Sequence, residues 1–345
     1  MNFQRNCWYV AADSGEVGRQ PITRTIAELR ILMFRREDGV VTAMSGICPH
    51  RFAPLERGTL NGDTLTCKYH GLVFGADGRC THNPHGGRAS PRMHLASYPV
   101  VERYGFVWVW PGKAEASHSA SIPDLSRFEN SPGRRTVHSY LYTNYRYDIL
   151  VDNLLDLSHA DYLHKGSFSS GAAERTDLVV RESGDEVIVE RTGYGAPAPP
   201  NIMARPQAAP ITNGLMDFRM TIHWHPGQII TFRSQSAPTG MSLEVNEPYQ
   251  FFHVATPADC NHTHYFMGIT RIGPDDAKAD QAVQLAQRTV IETEDGPMLD
   301  AVHEVMAGRE LLDLKPLILP VDEGGLRVRR VMQRLMERET TATQA

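Results

Sequence analysis

Short apolar stretches, each broken by a turn signal, occupy roughly the first 115 positions of the chain. Residues 30–35 and 40–45 flank an Asp-Gly turn signal at Asp38 and Gly39. Residues 71–78 and 103–110 show the same kind of pattern, with β-branched and aromatic side chains near glycines. The pattern predicts a small antiparallel β domain.

The pattern changes after a run of small and polar residues at 111–123, which is typical of a linker. Residues 147–163 have helical periodicity and are followed by a stop signal at Lys165 and Gly166. Residues 176–272 mainly predict strands. We therefore predict an α+β chain with two domains, residues 1–116 and 117–345.

Two helical stretches complete the predicted second domain. The first covers about residues 275–306 and is interrupted near Gly296 and Pro297. The second is amphipathic, and its apolar positions follow the helical i, i+3, i+4, i+7, i+8 spacing: Val328, Val331, Met332, Leu335 and Met336.

Composition narrows the class of protein. The chain has 345 residues, of which 41% are hydrophobic and 22% charged, as expected for globular domains with real cores. No apolar run reaches membrane-spanning length, and the first residues lack the apolar core of a secretory signal, so we expect a cytoplasmic protein without a membrane partner. The net charge of −5, with no basic stripe, argues against nucleic acid as a partner.

Two short segments each pair a cysteine with a histidine: Cys48 with His50, and Cys67 with His70. This is the donor set of a Rieske [2Fe–2S] cluster, in which two thiolates bind one iron and two imidazoles bind the other. The alternative is a structural zinc site, but such sites usually pair cysteine with cysteine and histidine with histidine in each short segment. The mixed segments therefore favour the Rieske cluster.

A second group of candidate metal ligands lies in the predicted helix that begins at residue 147. His159 and His164 are separated by four residues, and Asp156 precedes His159 by three. Two histidines and one carboxylate bind non-haem Fe(II) and leave positions open for dioxygen. Asp156 suits an outer partner that orients an imidazole, so the remote Asp295 is the candidate third ligand. The spacing alone is a weak signal, but electrons from a Rieske cluster need a destination.

With these motifs, the chain resembles the oxygenase component of a Rieske non-haem iron oxygenase, in the vanillate and dicamba O-demethylase branch. The resemblance runs over nearly the whole length and is carried by five segments: residues 6–11, 48–54, 67–71, 99–112 and 151–159. It implies an N-terminal antiparallel β Rieske domain followed by a helix-grip catalytic domain, in which an antiparallel sheet wraps a long helix. It also implies a head-to-tail homotrimer, in which each cluster serves the iron of the neighbouring subunit.

The resemblance also implies residue roles. Cluster and iron ligands match Cys48, His50, Cys67, His70, His159, His164 and Asp295. Asp156 matches a catalytic carboxylate that bridges the Rieske histidine His70 of one subunit to an iron-ligand histidine of the next, and Asn153 matches a polar residue near the iron. Gly296 and Pro297 follow Asp295 where helix formers are expected, although proline is tolerated in a first turn. Glu294 and Glu292 remain alternative ligands.

The implied activity is a monooxygenase reaction on a small aromatic acid. A separate NAD(P)H-oxidising reductase or ferredoxin would supply electrons to the [2Fe–2S] cluster and, through His70 and Asp156, to the mononuclear Fe(II). Oxidation of a methoxy carbon by O2 would then give a hemiacetal that collapses to a phenol and formaldehyde. Hydroxylation of a ring or alkyl group, N-demethylation of another aromatic or heterocyclic compound, and electron transfer without oxygenation are the alternatives.

Candidate substrate-binding residues lie in the strand-rich region. His253 falls where the branch places a substrate-contacting histidine, and the strand around Thr231 is a second candidate. Residues 222–226 could also line an apolar pocket with a few polar groups. For His223, His225 and Arg205, ordinary strand or loop positions are at least as good an interpretation.

Overall fold

The computed structural model describes residues 3–86, 90, 92–117, 122–164, 171, 176–203, 205 and 207–344. The chain forms two compact units, one of residues 2–124 with 256–260 and one of residues 125–255 with 261–345. Within the described ranges, no helix combines the length and the apolar character needed to cross a bilayer. The domain boundary after residue 116 stays a prediction.

The first unit is a set of small antiparallel sheets. Its strands are β1 (Tyr9–Asp13), β2 (Ile22–Ile26), β3 (Leu29–Arg35), β4 (Val41–Ser45), β5 (Thr59–Asn61), β6 (Thr64–Thr66), β7 (Val73–Phe74), β8 (Cys80–His82), β9 (Ser97–Tyr98), β10 (Val100–Arg103) and β11 (Phe106–Val109). They pair in the orders β1-β11-β10, β2-β3-β4-β9 and β5-β6-β7-β8. The predicted β domain is confirmed, and β3 and β4 are the two strands expected around the Asp-Gly turn.

Strand β3 is buried on both faces and divides the core of the first unit. Ile31 and Met33 pack into one apolar cluster, while Leu32 and Phe34 pack into another that also contains Cys48 and Cys67. Each fully buried side chain of this size contributes roughly 1.5–3 kcal/mol to stability. The two cysteine segments are therefore anchored in a rigid core.

The second unit is built on one seven-stranded sheet. Its strands are β12 (Arg134–Thr143), β13 (Thr176–Ser183), β14 (Glu186–Pro197), β15 (Leu215–His225), β16 (Ile229–Pro238), β17 (Tyr249–Pro257) and β18 (Thr263–Ile272), in the order β12-β18-β17-β16-β15-β14-β13. Its helices are α1 (Tyr147–Leu155), α2 (Ala160–Leu163), α3 (Pro200–Met203), α4 (Ala277–Val290), α5 (Gly296–Met306) and α6 (Glu323–Gln344).

The long helix α6 lies on one face of this sheet. Val328, Val331 and Met332 are buried, as the amphipathic spacing predicts. Gly324 approaches β14 so closely that a Cβ atom there would lie 2.8 Å from Val189. The combination of sheet and long helix confirms the expected helix-grip fold. We call the sheet face that carries Val187, Val189 and Arg191 the helix face.

One predicted helix differs from the structure. The helix predicted over 147–163 begins at Tyr147 as expected but does not continue, because α1 ends at Leu155 and Asp156 has extended backbone angles (φ −114°, ψ 99°). The Asp156 carboxylate accepts a hydrogen bond from the backbone N–H of Ser158 and thereby starts a new short turn. The expected stop at Lys165 and Gly166 lies outside the described residues.

Candidate metal centres and substrate pocket

The cysteine-histidine segments of the first unit form two loops with the same hydrogen-bond pattern. In one loop the Cys48 N–H donates to the Ala53 carbonyl (2.9 Å) and the Phe52 N–H donates to the Cys48 carbonyl (3.0 Å). In the other, Cys67 and Gly71 donate in the same way to Leu72 and Cys67, over 2.8 and 2.9 Å. The fifth residue of each loop has positive φ, 54° at Phe52 and 72° at Gly71. The two loops therefore present their cysteines in equivalent settings.

The four predicted cluster ligands lie together at this point. Cys48 and Cys67 are 2% exposed and form no disulfide. The rings of His50 and His70 have centroids 4.4 Å apart, and His50 is exposed. The thiols thus face the core and the imidazoles face outward, which suits a cluster that passes electrons out through a histidine.

The electrostatics of the two thiols favour a metal between them. Burial raises the pKa of Cys48 to about 11, and the neighbouring Cys67 adds to this, although backbone N–H groups oppose it. Two buried thiolates are therefore costly unless a cation compensates their charge. Burial, together with the positive charges of His50, Arg51 and His85, lowers the pKa of His70 and favours the neutral imidazole that a metal requires.

In the second unit, the structure brings together His159, His164 and Asp295. One donor atom from each lies within 4.8 Å of the others. Nε2 of His159 is 3.5 Å and Nε2 of His164 is 3.3 Å from the same oxygen, Asp295 Oδ1. These separations are close to the ~3 Å expected between neighbouring ligands of one iron, and two imidazoles with one carboxylate suit non-haem Fe(II).

Both imidazoles are oriented through their other nitrogen. Nδ1 of His159 lies 2.6 Å from the backbone carbonyl oxygen of Asp156. Nδ1 of His164 lies 2.5 Å from Oε2 of Glu294. An acceptor at Nδ1 places the ring proton there and leaves the Nε2 lone pair free for a metal.

Asp295 occupies a special backbone position. It is the last residue of a π-helical turn, Ile291–Asp295, inserted between α4 and α5. The interruption expected near Gly296 is therefore this wider turn, and Pro297 fits the first turn of α5 as predicted. Asn153 on α1 donates to Asp295 Oδ1 over 3.3 Å, which places Asn153 beside the site.

Glu294 and Glu292 do not contribute to the donor set. Glu294 contacts the far side of His164, as described, and Glu292 pairs with Arg288 on the exposed side of the helix. Of the three candidate carboxylates, Asp295 is the one with an oxygen within 3.5 Å of Nε2 of both histidines.

Burial and the charged or hydrogen-bonded neighbours shift the pKa values of the three candidate ligands in opposite directions. Burial lowers the pKa of His159 more than the charge of Asp295 raises it. For His164, burial is outweighed by hydrogen bonds with Asp295 and Glu294, which raise the pKa. For Asp295, burial is outweighed by the hydrogen bond from His164 and the charges of both histidines, so the pKa lies below its usual value. Asp295 is anionic at neutral pH and can neutralise part of a cation's charge.

The carboxylate of Asp156 does not touch either candidate iron ligand of its own chain. It accepts hydrogen bonds from Ser158 (N–H 2.9 Å, Oγ–H 2.8 Å) and from the guanidinium of Arg191 on β14 (2.8 Å). We expected the Asp156 carboxylate to orient the His159 ring. Within one chain this is wrong, because the contact to His159 Nδ1 comes from the backbone carbonyl of Asp156. Sequence reasoning missed Arg191, which lies 35 residues away in sequence and carries no local signal.

His253 lies on the helix face of the sheet. Directly paired residues share a face, and the pairs Val187–Trp224, Trp224–Ile230 and Ile230–His253 connect it to β14. Burial lowers the pKa of His253 to about 4, although the charge of Asp295 acts in the opposite direction. His253 is therefore neutral at physiological pH and lies within electrostatic reach of the metal site.

The neighbouring Tyr265 determines which ring nitrogen of His253 carries the proton. Nδ1 of His253 is 2.6 Å from the hydroxyl of Tyr265. Burial raises the pKa of Tyr265 well above its usual value, so the phenol stays protonated and donates to Nδ1. The His253 proton is then on Nε2, which is available as a donor to a substrate.

Thr231 is not brought together with His253. It pairs with His223 and Phe252, so its side chain lies on the opposite face of the sheet. It is 3% exposed and accepts a hydrogen bond from Arg127 over 3.0 Å. The structure therefore contradicts the predicted place of Thr231 in the same pocket as His253. His223 and His225 share the opposite face with it.

Comparison with known proteins agrees with this architecture. A model of the Rieske [2Fe-2S] domain matches residues 7–99, and a model of the vanillate O-demethylase oxygenase C-terminal domain matches residues 143–338. The oxygenase component of dicamba O-demethylase from Stenotrophomonas maltophilia is 35% identical over 98% of this chain and 99% of its own. That of chloroacetanilide N-alkylformylase from Rhizorhabdus wittichii (strain DC-6 / KACC 16600) is 29% identical over 96% and 95%. A crystal structure of dicamba monooxygenase bound to 3,6-dichlorosalicylic acid has a TM-score of 0.87 at 33% identity and covers 99% of both chains.

A β domain with a thiol-imidazole site and a helix-grip unit with a two-histidine, one-carboxylate site define the class of Rieske non-haem iron oxygenases. Within it, the chain belongs to the vanillate O-demethylase oxygenase family. It is an oxygenase component whose cofactors are a Rieske [2Fe–2S] cluster and a non-haem iron, and it depends on a separate electron-donating protein. The zinc-site and electron-carrier alternatives are thereby excluded.

Proposed function

We propose that this chain oxidatively demethylates a methoxylated aromatic acid and releases the phenol and formaldehyde. The observation that carries the proposal is the convergence of His159, His164 and Asp295 on one point within electrostatic reach of His253. An iron bound there would supply the activation of O2 for insertion into a C–H bond. The balanced reaction consumes the methyl ether, O2, two electrons and two protons, and yields the phenol, formaldehyde and water.

The protein contributes an apolar surface for the aromatic ring. On the helix face, Phe232 stacks on Phe251 with centroids 4.5 Å apart, and both rings lie within 6 Å of the His253 ring. Tyr249 continues the same row of β17, 5.6 Å from Phe251. Such a row binds a flat ring, and the Nε2–H of His253 can donate to a substrate oxygen.

A cation at the end of this row fits an acid substrate. The guanidinium of Arg205 lies 3.6 Å from the centroid of Tyr249, and burial lowers its pKa. Within the described ranges, Tyr249 is the titratable neighbour of this guanidinium and no carboxylate forms an ion pair with it. A guanidinium in this setting is suited to a ligand carboxylate.

The decisive experiment is turnover with a surrogate reductase over a panel of methoxybenzoates, with formaldehyde and phenol measured together. Equal amounts of both products support demethylation. A hydroxylated product with the methoxy group intact would contradict it. N-alkyl aromatics belong in the same panel, because a 29% identical relative is named as an N-alkylformylase.

The acid preference is tested separately with Arg205→Gln. Loss of a charged hydrogen bond should raise KM for a methoxybenzoate by about 10- to 100-fold, with little change for the corresponding neutral alcohol. Arg233→Gln is the matched control, since Arg233 lies on the face of Thr231 and contacts Gln235 and Glu244. An equal effect on both substrates would remove the assigned role.

We also propose that the chain works as a homotrimer in which Asp156 connects the partner's Rieske histidine to the iron site. Two observations support this: His50 is exposed, and Asp156, whose side chain is 24% exposed, contacts His159 through its backbone carbonyl. A Cys67→Ser variant, lacking the cluster, is mixed with a His159→Ala variant, lacking the iron. Randomly mixed head-to-tail trimers should regain about a quarter of the activity per site. Absence of any regain in verified mixed trimers would show that electrons move within one chain.

A further inference from the structure

A second group with two histidines and one carboxylate lies on β14 and β15. Glu186, His223 and His225 each place one donor atom within 4.8 Å of the others. The distances are 2.8 Å from Glu186 Oε2 to His223 Nε2 and 2.9 Å from Glu186 Oε1 to His225 Nδ1. The group is separate from the iron site, because these side chains lie on the face of the sheet opposite to the helix face.

The strand register brings these residues together. Val187 pairs with Trp224, so Glu186 stands opposite His225, and His223 lies two residues along the same strand. Residues two apart on a strand point to the same side, and directly opposed residues have Cβ atoms ~5 Å apart. Two adjacent backbones therefore hold the three donors in place.

We propose that Glu186, His223 and His225 form a second transition-metal site, suited to Zn²⁺, that links β14 to β15. Zinc accepts two imidazoles and one carboxylate and keeps a fourth position for water. The two contacts of Glu186 with the imidazoles, 2.8 and 2.9 Å, are a few tenths of an ångström shorter than the ~3.3 Å between ligand atoms around a tetrahedral zinc.

The exposure and the charges of this group are compatible with a bound metal ion. The side chains of Glu186 and His223 are 39% and 28% exposed, so an ion can enter without unfolding, while His225 at 9% provides a rigid inner ligand. Arg127 acts electrostatically on His225 and disfavours added positive charge, but its guanidinium is directed to Thr231. The Glu186 carboxylate lies at hydrogen-bond distance from both imidazoles and favours a cation there.

The alternative is that the carboxylate only forms hydrogen bonds to the two imidazoles. Zinc binding separates the two interpretations. Iron-loaded protein is dialysed into metal-free buffer and titrated with Zn²⁺, and zinc and iron per chain are measured after gel filtration. The expected result is one bound zinc per chain with no loss of iron, together with a higher melting temperature.

The variants Glu186→Gln and His223→Asn each remove one ligand from a partly exposed position. Each should weaken zinc binding by roughly 10- to 100-fold and abolish the rise in melting temperature. Glu190→Gln, on the same strand and face, contacts Arg181 and Arg219 and should bind zinc as the parent does. Unchanged zinc binding in both ligand variants, or zinc bound only in exchange for iron, would overturn the proposal.

Discussion

At the scale of single residues, the candidate iron site depends on the contacts that hold its three predicted ligands in place. His159 is fixed by a backbone carbonyl, His164 by Glu294, and Asp295 by Asn153. The carboxylate of Asp156 is held by hydrogen bonds from Arg191 and Ser158. This arrangement leaves Asp156 beside the site without being part of the donor set, as a positioning group requires.

Replacing Asp156 by asparagine should separate metal binding from turnover. The amide keeps the size of the side chain but loses its charge, so we expect both metals to be retained while kcat falls by roughly 100-fold or more. Metal content, the visible spectrum of the cluster and steady-state kinetics check this. Asp177→Asn, at an exposed position of β13, is the control. A fully active Asp156→Asn variant with intact metals would remove the assigned role.

Arg191→Gln tests the support of the same carboxylate. Arg191 is 5% exposed, and its removal leaves Asp156 without its counter-charge. We expect a ~10- to 100-fold lower kcat, with normal reduction of the cluster by dithionite and slowed reoxidation in single turnover with substrate and O2. Arg181→Gln, on an exposed site of β13, should leave both rates unchanged. If dithionite reduced the cluster of Arg191→Gln as poorly as the variant turned over, general unfolding would be the cause instead.

At the scale of elements, the π turn Ile291–Asp295 decides where the third ligand points. The Gly296 N–H donates back to Ile291, and a Cβ atom on Gly296 would lie 2.6 Å from the carbonyl oxygen of Ile291. Only glycine fits this turn without a shift of the backbone. The extra residue rotates Asp295 toward the histidines, consistent with the use of π turns at functional sites.

Gly296→Ala should therefore displace Asp295. We expect iron at the mononuclear site to fall by about tenfold or more, while the cluster in the other unit stays intact. Iron analysis, with two irons per chain remaining, and the cluster spectrum check this. Gly15→Ala is the control, because nothing lies within 4 Å of a Cβ atom there. Three irons per chain in Gly296→Ala would show that the turn tolerates the methyl group.

At the scale of the whole molecule, the half-buried His253 links stability to pH. Its pKa is about 4 in the folded chain and about 6.5 when unfolded. Because the folded state binds this proton less tightly, its contribution to stability is complete above pH 6.5 and is lost as the pH falls toward 4. The loss at pH 4 amounts to at most ~3 kcal/mol.

His253→Asn removes this titration and keeps a polar partner for Tyr265. The variant should lose less stability than the parent between pH 6.5 and 4, although it is less stable than the parent at pH 7.5. Melting temperatures across this range, at constant ionic strength, measure the difference. If the melting temperatures of the two proteins fell in parallel with pH, His253 would not be the group that causes the loss of stability.

The sequence by itself determined the chemistry and the type of each unit. Short-range patterns are sufficient for this, because strand alternation, helical spacing and the pairing of Cys48 with His50 and Cys67 with His70 are local properties of the chain. The amphipathic face of α6 was predictable for the same reason. The family resemblance added Asp295, which local spacing could only suggest.

Only the tertiary structure decided which side chains meet. Asp156 and Arg191, or His164 and Glu294, are distant in sequence and come together because a strand or a helix happens to pass there. Thr231 and His253 lie on neighbouring strands, yet the register places them on opposite faces. Register depends on the packing of the whole sheet, and a shift of one residue reverses every side chain. The types of ligand residue can thus be identified from local sequence, whereas the fold decides which of them lie close together.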